Sequence, residues 1–493
     1  MKMHAHSWTV PGAFAAALLA GCTLGPDFRR PDPPAGGYGH AVPAATATAS
    51  VEPGAEIADS WYQLFHSAAL DSLVRNALAH NPDLDGARHG LIAAQYELKA
   101  VAGSELPQID ATGMIGRAHI NGSYFYGPTA ALDATGNRFE LGPSLAYNLD
   151  PFGATRRQIE AQRAATAVAR DQVLNTYVTL VDQTVVAAFD YAATQAQIEV
   201  TQALVSELDS QFSLTQTLEN AGKITHSDTL LAQTQLENLR ATLPALEKQR
   251  DTFRNALAQL CGETPDRFVM PQLTLHDFAL PQKLPLSLPS VLVRQRPDIL
   301  AAEDSLHQAS ANVGVAEAAR FPSLAISAQY AQQTSELSDF LTRPGAVWSA
   351  GVNVTAPLFH GGTLAARHHE AEERYRQALA SYRATVIAAF VEVANALQAL
   401  DHDGAGYSAH NVALGAARAN RDLALQQYHA GKYTELQVLT TEQQYQDAAL
   451  SEVQADVQRF TDTAALFHAL GGGWWNAPND PAALVAAAGE THE

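Results

Sequence analysis

The chain carries an internal duplication, and this repeat constrains the fold more than any other feature of the sequence. Four landmarks occur twice in the same order, at offsets of 209 to 215 residues. They are Asn81-Pro82-Asp83 with Arg296-Pro297-Asp298, Leu106-Pro107 with Phe321-Pro322, Ala-Gly-Lys at 221–223 and 430–432, and "NALAQLCG" (255–262) with "ALFHALGG" (465–472). Chance matches would not keep this order, so the sequence predicts two copies of one structural unit.

The repeat sets the expected domain boundaries. A first repeat is predicted at 61–262 and a second at 291–474. The prolines of 263–290 exclude a helix, so this segment is interpreted as an extended surface linker. The segments 22–60 and 475–493 are rich in Pro, Gly and Ala. We expect both to be irregular, the second as a disordered tail.

Residues 1–21 have the pattern of a secretory signal peptide, with one Lys, an apolar run and small residues before Cys22. Leu19-Ala20-Gly21-Cys22 is similar to the bacterial lipobox, which implies cleavage before Cys22 and lipidation of this cysteine. Thr23 follows in place of Asp, and by the same resemblance this favours sorting to the outer membrane. A simple signal peptide with an incidental cysteine, or a buried N-terminal helix, stays open as an alternative.

Charge and hydropathy exclude several classes of function. The formal net charge of −20 repels nucleic acid, and two cysteines cannot form a disulfide framework. The most apolar stretch, 384–400, contains Glu392, Asn395 and Gln398, so no transmembrane helix is expected. If the chain spans a membrane, it must do so with β-strands.

Long helices are the clearest elements of the sequence. No Gly or Pro occurs from Ala154 to Ala221, and apolar residues recur there at helical spacing. Such a helix would extend about 100 Å, which exceeds any compact globule, so coiled-coil packing is expected along it. The second copy is predicted from Thr363 toward Tyr428, with a weak point at Gly404-Ala405-Gly406.

Between the proline pairs and the long helices, apolar and polar residues alternate with the period of a strand. In one segment Leu324, Ile326 and Tyr330 share a face, and Ser323 and Ser327 lie on the other. Four segments have about the length that crosses a bilayer as a tilted strand, namely 108–115, 138–150, 323–330 and 348–359.

The loops between paired strands, 120–137 and 332–345, are long and turn-rich, as outward-facing loops often are. Four strands cannot close a barrel around a pore, and an open sheet edge is not tolerated in lipid. We therefore expect the strands of three chains to close one twelve-stranded barrel in a homotrimer. An ordinary half-buried sheet in a soluble domain stays open as an alternative.

Short motifs connect these features to a known family. The chain resembles the TolC-like outer membrane efflux proteins, in particular their lipoprotein branch of the OprM and nodulation protein T type. The motifs are "GPDFRRP" (25–31) after Cys22, "RPDILAAE" (296–303), Ala311-Asn312 through "ARFPSL" (319–324), and "ALGGGW" (469–474). The resemblance implies a mixed α and β membrane protein, a trimer with four strands per chain in a twelve-stranded transmembrane β-barrel and a long periplasmic α-helical barrel.

The resemblance also implies a transport function, with no enzymatic activity and no cofactor. Such a protein is the exit duct of a tripartite efflux pump, and small molecules pass through it by diffusion. Its partners would be outer membrane lipid, a periplasmic adaptor (a membrane fusion protein) and an inner membrane transporter of the resistance-nodulation-division class. The alternatives are a non-conducting, lipid-anchored coiled-coil scaffold of the periplasm and the outer membrane component of a type I secretion system.

The two Ala-Gly-Lys triplets are predicted to reverse the direction of the chain. A glycine can end a helix in the left-handed conformation, and a nearby Thr can cap the next helix. By the resemblance, these turns are the periplasmic tips to which the adaptor docks, although turns with merely solubilising lysines stay possible. The expected docking residues are Gly222, Lys223, Thr225, Gly431, Lys432 and Thr434.

The resemblance places a periplasmic gate just after the second tip. The corresponding positions are Tyr428, Leu436, Gln437 and Thr440, with Asp228 as the first-half counterpart of Gln437. Since Gln437 and Thr440 carry no charge, an acidic ring is not expected. Closure is predicted to rest on packing and hydrogen bonds of Tyr428, Leu436 and Gln437.

One stretch, "RHHEAEERY", raises the question of a metal site. His368 with Glu372 and His369 with Glu373 are i,i+4 pairs of the kind that bind zinc on a helix. The order is not His-Glu-x-x-His and no third ligand is evident, so we predict a solvated helix face and no metal site. Cys261, at the end of an apolar helix, is predicted to be a packed thiol.

Overall fold

The structure, a computed structural model, is mainly helical and describes residues 23–34, 36–39, 50–121, 133–341 and 345–482. The predicted signal peptide and Cys22 lie outside the described residues. The helices are α1 (Ala68–His80), α2 (Pro82–Gly103), α3 (Ala154–Asn220), α4 (His226–Arg240), α5 (Leu243–Leu260), α6 (Pro289–Leu292), α7 (Pro297–Ala318), α8 (Thr363–His429) and α9 (Glu435–Ala469). The strands are β1 (Ser50–Pro53), β2 (Gln108–Asn121), β3 (Asp133–Leu149), β4 (Lys283–Leu286), β5 (Ser323–Thr334) and β6 (Ala346–Thr355).

The order of elements in the first half recurs in the second. Helices α2 and α7 both have 22 residues, and α3 and α8 both have 67. A strand pair separates the two helices in each half. The offset between corresponding residues is 215 at the starts of α2 and α7 and 209 at the starts of α3 and α8. The strand pair and its loop are therefore six residues longer in the first half.

The first of two compact units, formed from 1–31, 93–168 and 302–382, contains a four-stranded antiparallel sheet in the order β2-β3-β5-β6. All four predicted strands are present, with different ends. The first two continue to Asn121 and from Asp133, so part of the predicted loop 120–137 belongs to the strands. The last ends at Thr355, ahead of the proline at position 357, because proline cannot donate to a ladder.

The sheet has one apolar and one polar face, as the alternation predicts. Tyr330 lies directly opposite Trp348, and this face is open, with Trp348 73% and Val352 61% exposed. On the other face, Asn353 donates from Nδ2 to Ser327 Oγ at 3.0 Å. In the described residues, β2 and β6 each pair on one side alone. The chain thus presents an uncovered apolar face bounded by two free strand edges.

The second unit, formed from 32–92, 169–301 and 383–493, is built on an aromatic core. Trp61 stacks on Phe467 with ring centroids 4.9 Å apart, and Phe65 meets Phe189 edge-on at the same distance. Phe189 also contacts Phe460 at 5.5 Å. Trp61, Phe65, Phe189 and Phe467 are each at most 1% exposed, so this cluster is fully buried in the unit.

Equivalent side chains tie each half together within the second unit. Asn81, ahead of α2, caps that helix with Oδ1 and donates from Nδ2 to the carbonyl oxygen of Leu260 at 2.9 Å. Arg296, ahead of α7, donates from Nη1 to the carbonyl oxygen of Ala469 at 2.6 Å. Both accepting carbonyls lie in the last turn of a helix, where backbone oxygens lack partners within the helix. The repeated Asn/Arg-Pro-Asp motif is therefore a joint between helix ends.

One strand each lies in the N-terminal segment, predicted to be irregular, and in 263–290, predicted to be an extended surface linker. Strand β1 lies in the N-terminal segment and β4 in the predicted linker, and they pair in parallel. Leu284 and Leu286 alternate into the core, at 2% and 3% exposed, and Lys283 Nζ lies 2.5 Å from Glu52 Oε1. Strands of four residues are too short for their alternation to be recognised in the sequence.

The beginning of the predicted tail is also ordered, which corrects the prediction for residues 475–482. Asp480 Oδ2 accepts a hydrogen bond from Arg170 Nη2 at 2.6 Å, and Ala482 is 6% exposed. The ion pair and the burial hold this segment against the unit. The rest of the predicted tail, 483–493, lies outside the described residues.

Helix α8 is continuous through Gly404 and Gly406, so the predicted weak point is wrong. Glycine in a helix costs about 1 kcal/mol relative to alanine, and tertiary packing offsets this cost here. One packing contact is the guanidinium of Arg459, on α9, which lies 4.3 Å from the ring centre of Tyr407. Among the described residues, α8 is also the one helix that is long and apolar enough to cross a membrane, a test that core helices pass too.

A charged cluster surrounds Arg296. Asp298 accepts two hydrogen bonds from its guanidinium at 2.8 and 3.0 Å, and Glu392 Oε2 lies 2.7 Å from its Nη1. His468 Nδ1 lies 3.4 Å from Glu392 Oε1. The hydrogen bond from His468 and the charge of Arg296 hold the pKa of Glu392 at about 2. Burial lowers the pKa of His468, but the Glu392 carboxylate outweighs it and raises this pKa.

The cluster predicts a pH dependence of stability. The lowered pKa of Glu392 gives a contribution that is present above about pH 4.5 and lost as the pH falls toward 2. The raised pKa of His468 gives a contribution that is present below about pH 6.5 and lost as the pH rises through its folded-state pKa. Glu392→Gln should lower the unfolding temperature near pH 6 and flatten its profile on both sides, measured by differential scanning fluorimetry. Asp401→Asn, at an exposed position of α8, is the control, and an equal effect of both variants would contradict the assignment.

Candidate functional site

Two helix-to-helix turns, at Ala-Gly-Lys, have the same backbone geometry. Gly222 and Gly431 take φ values of 68° and 74°, which favour glycine, and no atom lies within 4 Å of a Cβ built on either. Lys223 N donates to the carbonyl oxygen of Leu218, and Lys432 N to that of Gln427, both at 2.9 Å. With the glycine amides bonded three residues back, each turn is a Schellman motif. The triplet is repeated because it ends a 67-residue helix in each half.

The threonines after each turn begin the next helix. Thr225 N donates to Asp228 Oδ2 at 2.9 Å, and the Asp228 amide bonds back to Thr225 Oγ1 at 3.3 Å. At the second turn, Thr434 N donates to Gln437 Oε1 at 2.8 Å. These are capping boxes, so the predicted capping role of both threonines is present in the structure. Lys223 and Lys432 are exposed and project from the turns.

The predicted gate residues have different environments. Gln437 and Asp228 are the helix-capping partners of the threonines, so an oxygen of each is held within its own turn. Leu436 is 60% exposed, and the hydroxyl of the exposed Thr440 donates to the Leu436 carbonyl at 2.8 Å. Burial and the neighbouring Glu435 raise the pKa of Tyr428. Leu436 and Thr440 thus remain available to contacts outside the chain.

A charged cluster beside the turns was not anticipated from the sequence. Arg421 of α8 lies 3.0 Å from Glu207 Oε2 of α3, 2.8 Å from Asp422 Oδ1 and 4.0 Å from Glu442 Oε2 of α9. Its guanidinium also lies 4.2 Å from the ring centre of Tyr445. This single arginine joins three helices of the two hairpins. A sequence signal is lacking, because the partners are distant in the chain and each looks like an ordinary surface charge.

Glu442 is the most deeply buried carboxylate of this cluster. It is 1% exposed, and in the described residues neither of its carboxylate oxygens has a hydrogen-bond partner. Burial and the charge of Glu207 raise its pKa to about 7, against the opposing charge of Arg421. Near neutral pH the carboxyl is therefore shared between its charged and neutral forms. An apolar cluster of Leu204, Leu208, Leu236 and Leu239 packs α3 against α4.

The histidine pair on α8 differs from its predicted arrangement. His369 Nδ1 lies 3.0 Å from Glu372 and not beside Glu373, which pairs with Arg376. His368 Nδ1 lies 3.9 Å from the same Glu372, so possible ligand atoms of three residues fall within 4.8 Å of one another. His369 is exposed, and Glu372 is already bonded to it. The i,i+3 contact forms because it is as close on a helix as i,i+4.

The sequence model of the outer membrane efflux protein family matches residues 73–263 and 288–472. The probable efflux pump outer membrane protein TtgC of Pseudomonas putida is 28% identical over 468 residues, covering 94% of this chain and 95% of that protein. The cation efflux system protein CusC of Escherichia coli is 26% identical over 472 residues, covering 94% and 98%. The pyoverdine export outer membrane protein OpmQ of Pseudomonas aeruginosa is 27% identical, covering 84% and 87%.

Solved structures agree with this assignment. The outer-membrane channel OprN superposes with a TM-score of 0.84 at 28% identity, covering 92% of this chain and all of that one. The open state of the MtrE outer membrane channel of Neisseria gonorrhoeae gives 0.80 at 25% identity, covering 92% and 98%. The CmeC channel of Campylobacter jejuni, at 21% identity and a TM-score of 0.85, shares the fold. The resemblance seen in the motifs is thus confirmed, and the chain belongs to the outer membrane efflux protein family, as the outer membrane component of an efflux pump.

Proposed function

We propose that three copies of this protein close their strands into one twelve-stranded β-barrel that conducts small molecules out of the cell. The observation that carries the proposal is the sheet with an exposed apolar face, a polar opposite face and two free edges. Lipid would cover the apolar face, and neighbouring chains would pair with the edges, as a membrane requires. A non-conducting scaffold would have no use for such a sheet.

The conduction would be passive, and the protein would have no enzymatic activity or cofactor. Relatives are named for antibiotic, cation and pyoverdine export, so their cargoes differ while the fold is common. This favours a duct for small molecules over a type I secretion component. The energy would come from an inner membrane transporter, expected to be of the resistance-nodulation-division class, joined to the duct by a periplasmic adaptor.

The two faces of β6 provide a test of membrane insertion. Val352→Arg places a charge on the apolar face and should cost about 2–4 kcal/mol near the membrane midplane. Ser349→Arg, on the polar face of the same strand, should be tolerated because that face would line the pore. The measurement is the amount of heat-resistant trimer in outer membrane fractions by gel electrophoresis. Equal loss in both variants would contradict the proposed orientation of the sheet.

The two turns are the proposed docking sites of the adaptor. Gly222, Lys223 and Thr225, and Gly431, Lys432 and Thr434, form exposed Schellman turns that a trimer would present six times. The two kinds of turn differ in charge, because the capping partner is Asp228 in one and Gln437 in the other. A ring of alternating tips is therefore proposed.

A photocrosslinker on a cysteine at position 223 or 432 should capture one periplasmic adaptor in intact cells. Lys223→Cys and Lys432→Cys leave the turn geometry in place, since the lysines contribute their amide and not their side chain. Cys261 is buried and will not react. Lys248→Cys, at an exposed lysine of α5, is the control. Mass spectrometry identifies the product, and an equal yield of adaptor from Lys248→Cys would rule out docking at the turns.

The gate is proposed to close through Leu436, with Tyr428, Gln437, Thr440 and Asp228 around it. Leu436 is the residue of this set with a large apolar side chain that the chain itself leaves open. Three such leucines in a trimer would exclude water from the aperture. Gln437 and Asp228 would act indirectly, by fixing the turns through their capping bonds.

In planar bilayers, the purified trimer should open rarely, and Leu436→Ala should raise the open fraction several-fold because the apolar seal is lost. Val412→Ala, at a residue of α8 that is 72% exposed, is the matched control and should behave like the unmodified protein. Sensitivity of cells to large antibiotics should follow the same order. Silence of both Leu436→Ala and the unmodified trimer would argue for the scaffold, and conduction without a difference would remove Leu436 from the gate.

We also propose that Cys22 is lipidated and anchors the protein. Support comes from the residues that follow it. Leu24 N donates to the carbonyl oxygen of Phe152 at 3.1 Å, directly after β3. Arg157, with 4% of its side chain exposed, donates to the carbonyl oxygens of Leu24 and Gly25 and pairs with Asp27 at 2.8 Å. The chain after Cys22 is thus fixed at the end of a proposed membrane strand.

A further inference from the structure

An apolar cavity of about 330 Å³ lies in the first unit, where β3 ends and α3 begins. Phe152 and Phe321 form part of its wall, with ring centroids 5.0 Å apart, and Leu364 enters from the first turn of α8. Much of the remaining lining is apolar as well, with Leu149, Pro151, Ala318, Leu324, Ala356 and Pro357. This volume is in the range of cavities that hold small ligands.

Six polar residues also line the cavity, namely Asn148, Asp150, Thr155, Ser323, Thr355 and His360. Asp150 Oδ2 lies 3.4 Å from Arg156 Nε and accepts a hydrogen bond from the Arg156 backbone amide at 3.0 Å. Arg156 Nη2 also donates to the Asp150 carbonyl at 2.9 Å. Ser323 Oγ donates to the carbonyl oxygen of Thr355 at 3.5 Å. Most of the lining residues are nevertheless apolar, and this wall fits a hydrocarbon chain.

The N-terminal segment begins against this wall. A Cβ on Gly153 would lie 2.4 Å from Thr23 Cγ2, so Thr23 is in close contact with the residue between Phe152 and Ala154, both of which line the cavity. The described chain therefore begins beside the cavity, at the residue that follows Cys22 in the sequence.

We propose that the cavity holds one acyl chain of the lipid carried by Cys22, an inference that rests on the proposed lipidation. The part of the chain beyond the cavity would run over Leu358 and Phe359, which adjoin the lining residue Pro357 and are 95% and 89% exposed. The lipid anchor would then be packed within the fold of the first unit. It fixes the N-terminal segment to the junction of strand and helix.

The test uses the full-length protein from cells fed palmitate with a diazirine on its chain. Irradiation of the purified protein should join the acylated Cys22 peptide to peptides that contain Phe152, Phe321 or Leu364, mapped by mass spectrometry. Ala356→Trp fills the cavity and should reduce this product at least several-fold, whereas Ala350→Trp, on β6 and outside the lining, should leave it unchanged. Crosslinks that ignore Ala356→Trp, or that avoid the cavity, overturn the proposal.

Two further measurements separate the possible failures. The intact mass of the purified protein shows whether it is lipidated. Absence of acyl mass refutes the lipidation of Cys22, whereas acyl mass without cavity crosslinks refutes only the binding of the acyl chain in the cavity. A Cys22→Ala protein exported by a cleavable signal peptide should lose cavity labelling. If labelling persists in that variant, the occupant is a phospholipid chain of the membrane, and the assignment to the Cys22 lipid is wrong.

Discussion

An antiparallel sheet whose apolar face the described residues leave uncovered is the constraint on which the rest of the structure depends. Tyr330, Trp348 and Val352 are among the exposed residues of this face, and a soluble domain would bury them at about 25 cal/mol per Å² of apolar surface. The free backbone groups of β2 and β6 add a second requirement, since they need partners in lipid. The proposed assembly of chains in a membrane would meet both requirements, and the described residues of one chain meet neither.

The helical part of the protein follows from the repeat. Each half needs a helix of 67 residues, and the same device ends it, a glycine at positive φ with a lysine amide bonded back over the last turn. The joint between helix ends at the Asn/Arg-Pro-Asp motif has the same role in both halves but a different chemistry. Asn81 and Arg296 each donate a hydrogen bond to the last turn of a helix. Arg296 is also charged, and it pairs with Glu392, which in turn contacts His468. Two copies of one unit have thus acquired different electrostatics at equivalent places.

Much of this architecture could be predicted from the sequence, because its signals are local. Absence of Gly and Pro over 154–220 defines a helix, period-two alternation defines strands, and a Gly-to-Thr spacing defines a capped turn. What was missed depends on contacts between distant residues. The glycines at 404 and 406 weaken a helix locally, but packing overrides them. The pairing of β1 with β4 joins segments more than 200 residues apart, and the contact of Arg421 with Glu207 does the same across 214 residues.

At the predicted gate, residues that the sequence pattern assigns to closure of the pore also cap the helices of their own turns. Gln437 lies at a position predicted to belong to the gate, but its amide oxygen caps α9. A Gln437 side chain that reached into the aperture would break this capping bond. Asp228 makes the same bond as a carboxylate, and its charge also favours the N-terminus of α4. An acidic residue follows in α9, Glu442, which is 1% exposed and lies 4.0 Å from Arg421. Burial and the charge of Glu207 raise the pKa of Glu442 to about 7, so its charge beside Arg421 depends on pH near neutrality, whereas Leu436, the proposed seal of the gate, does not titrate.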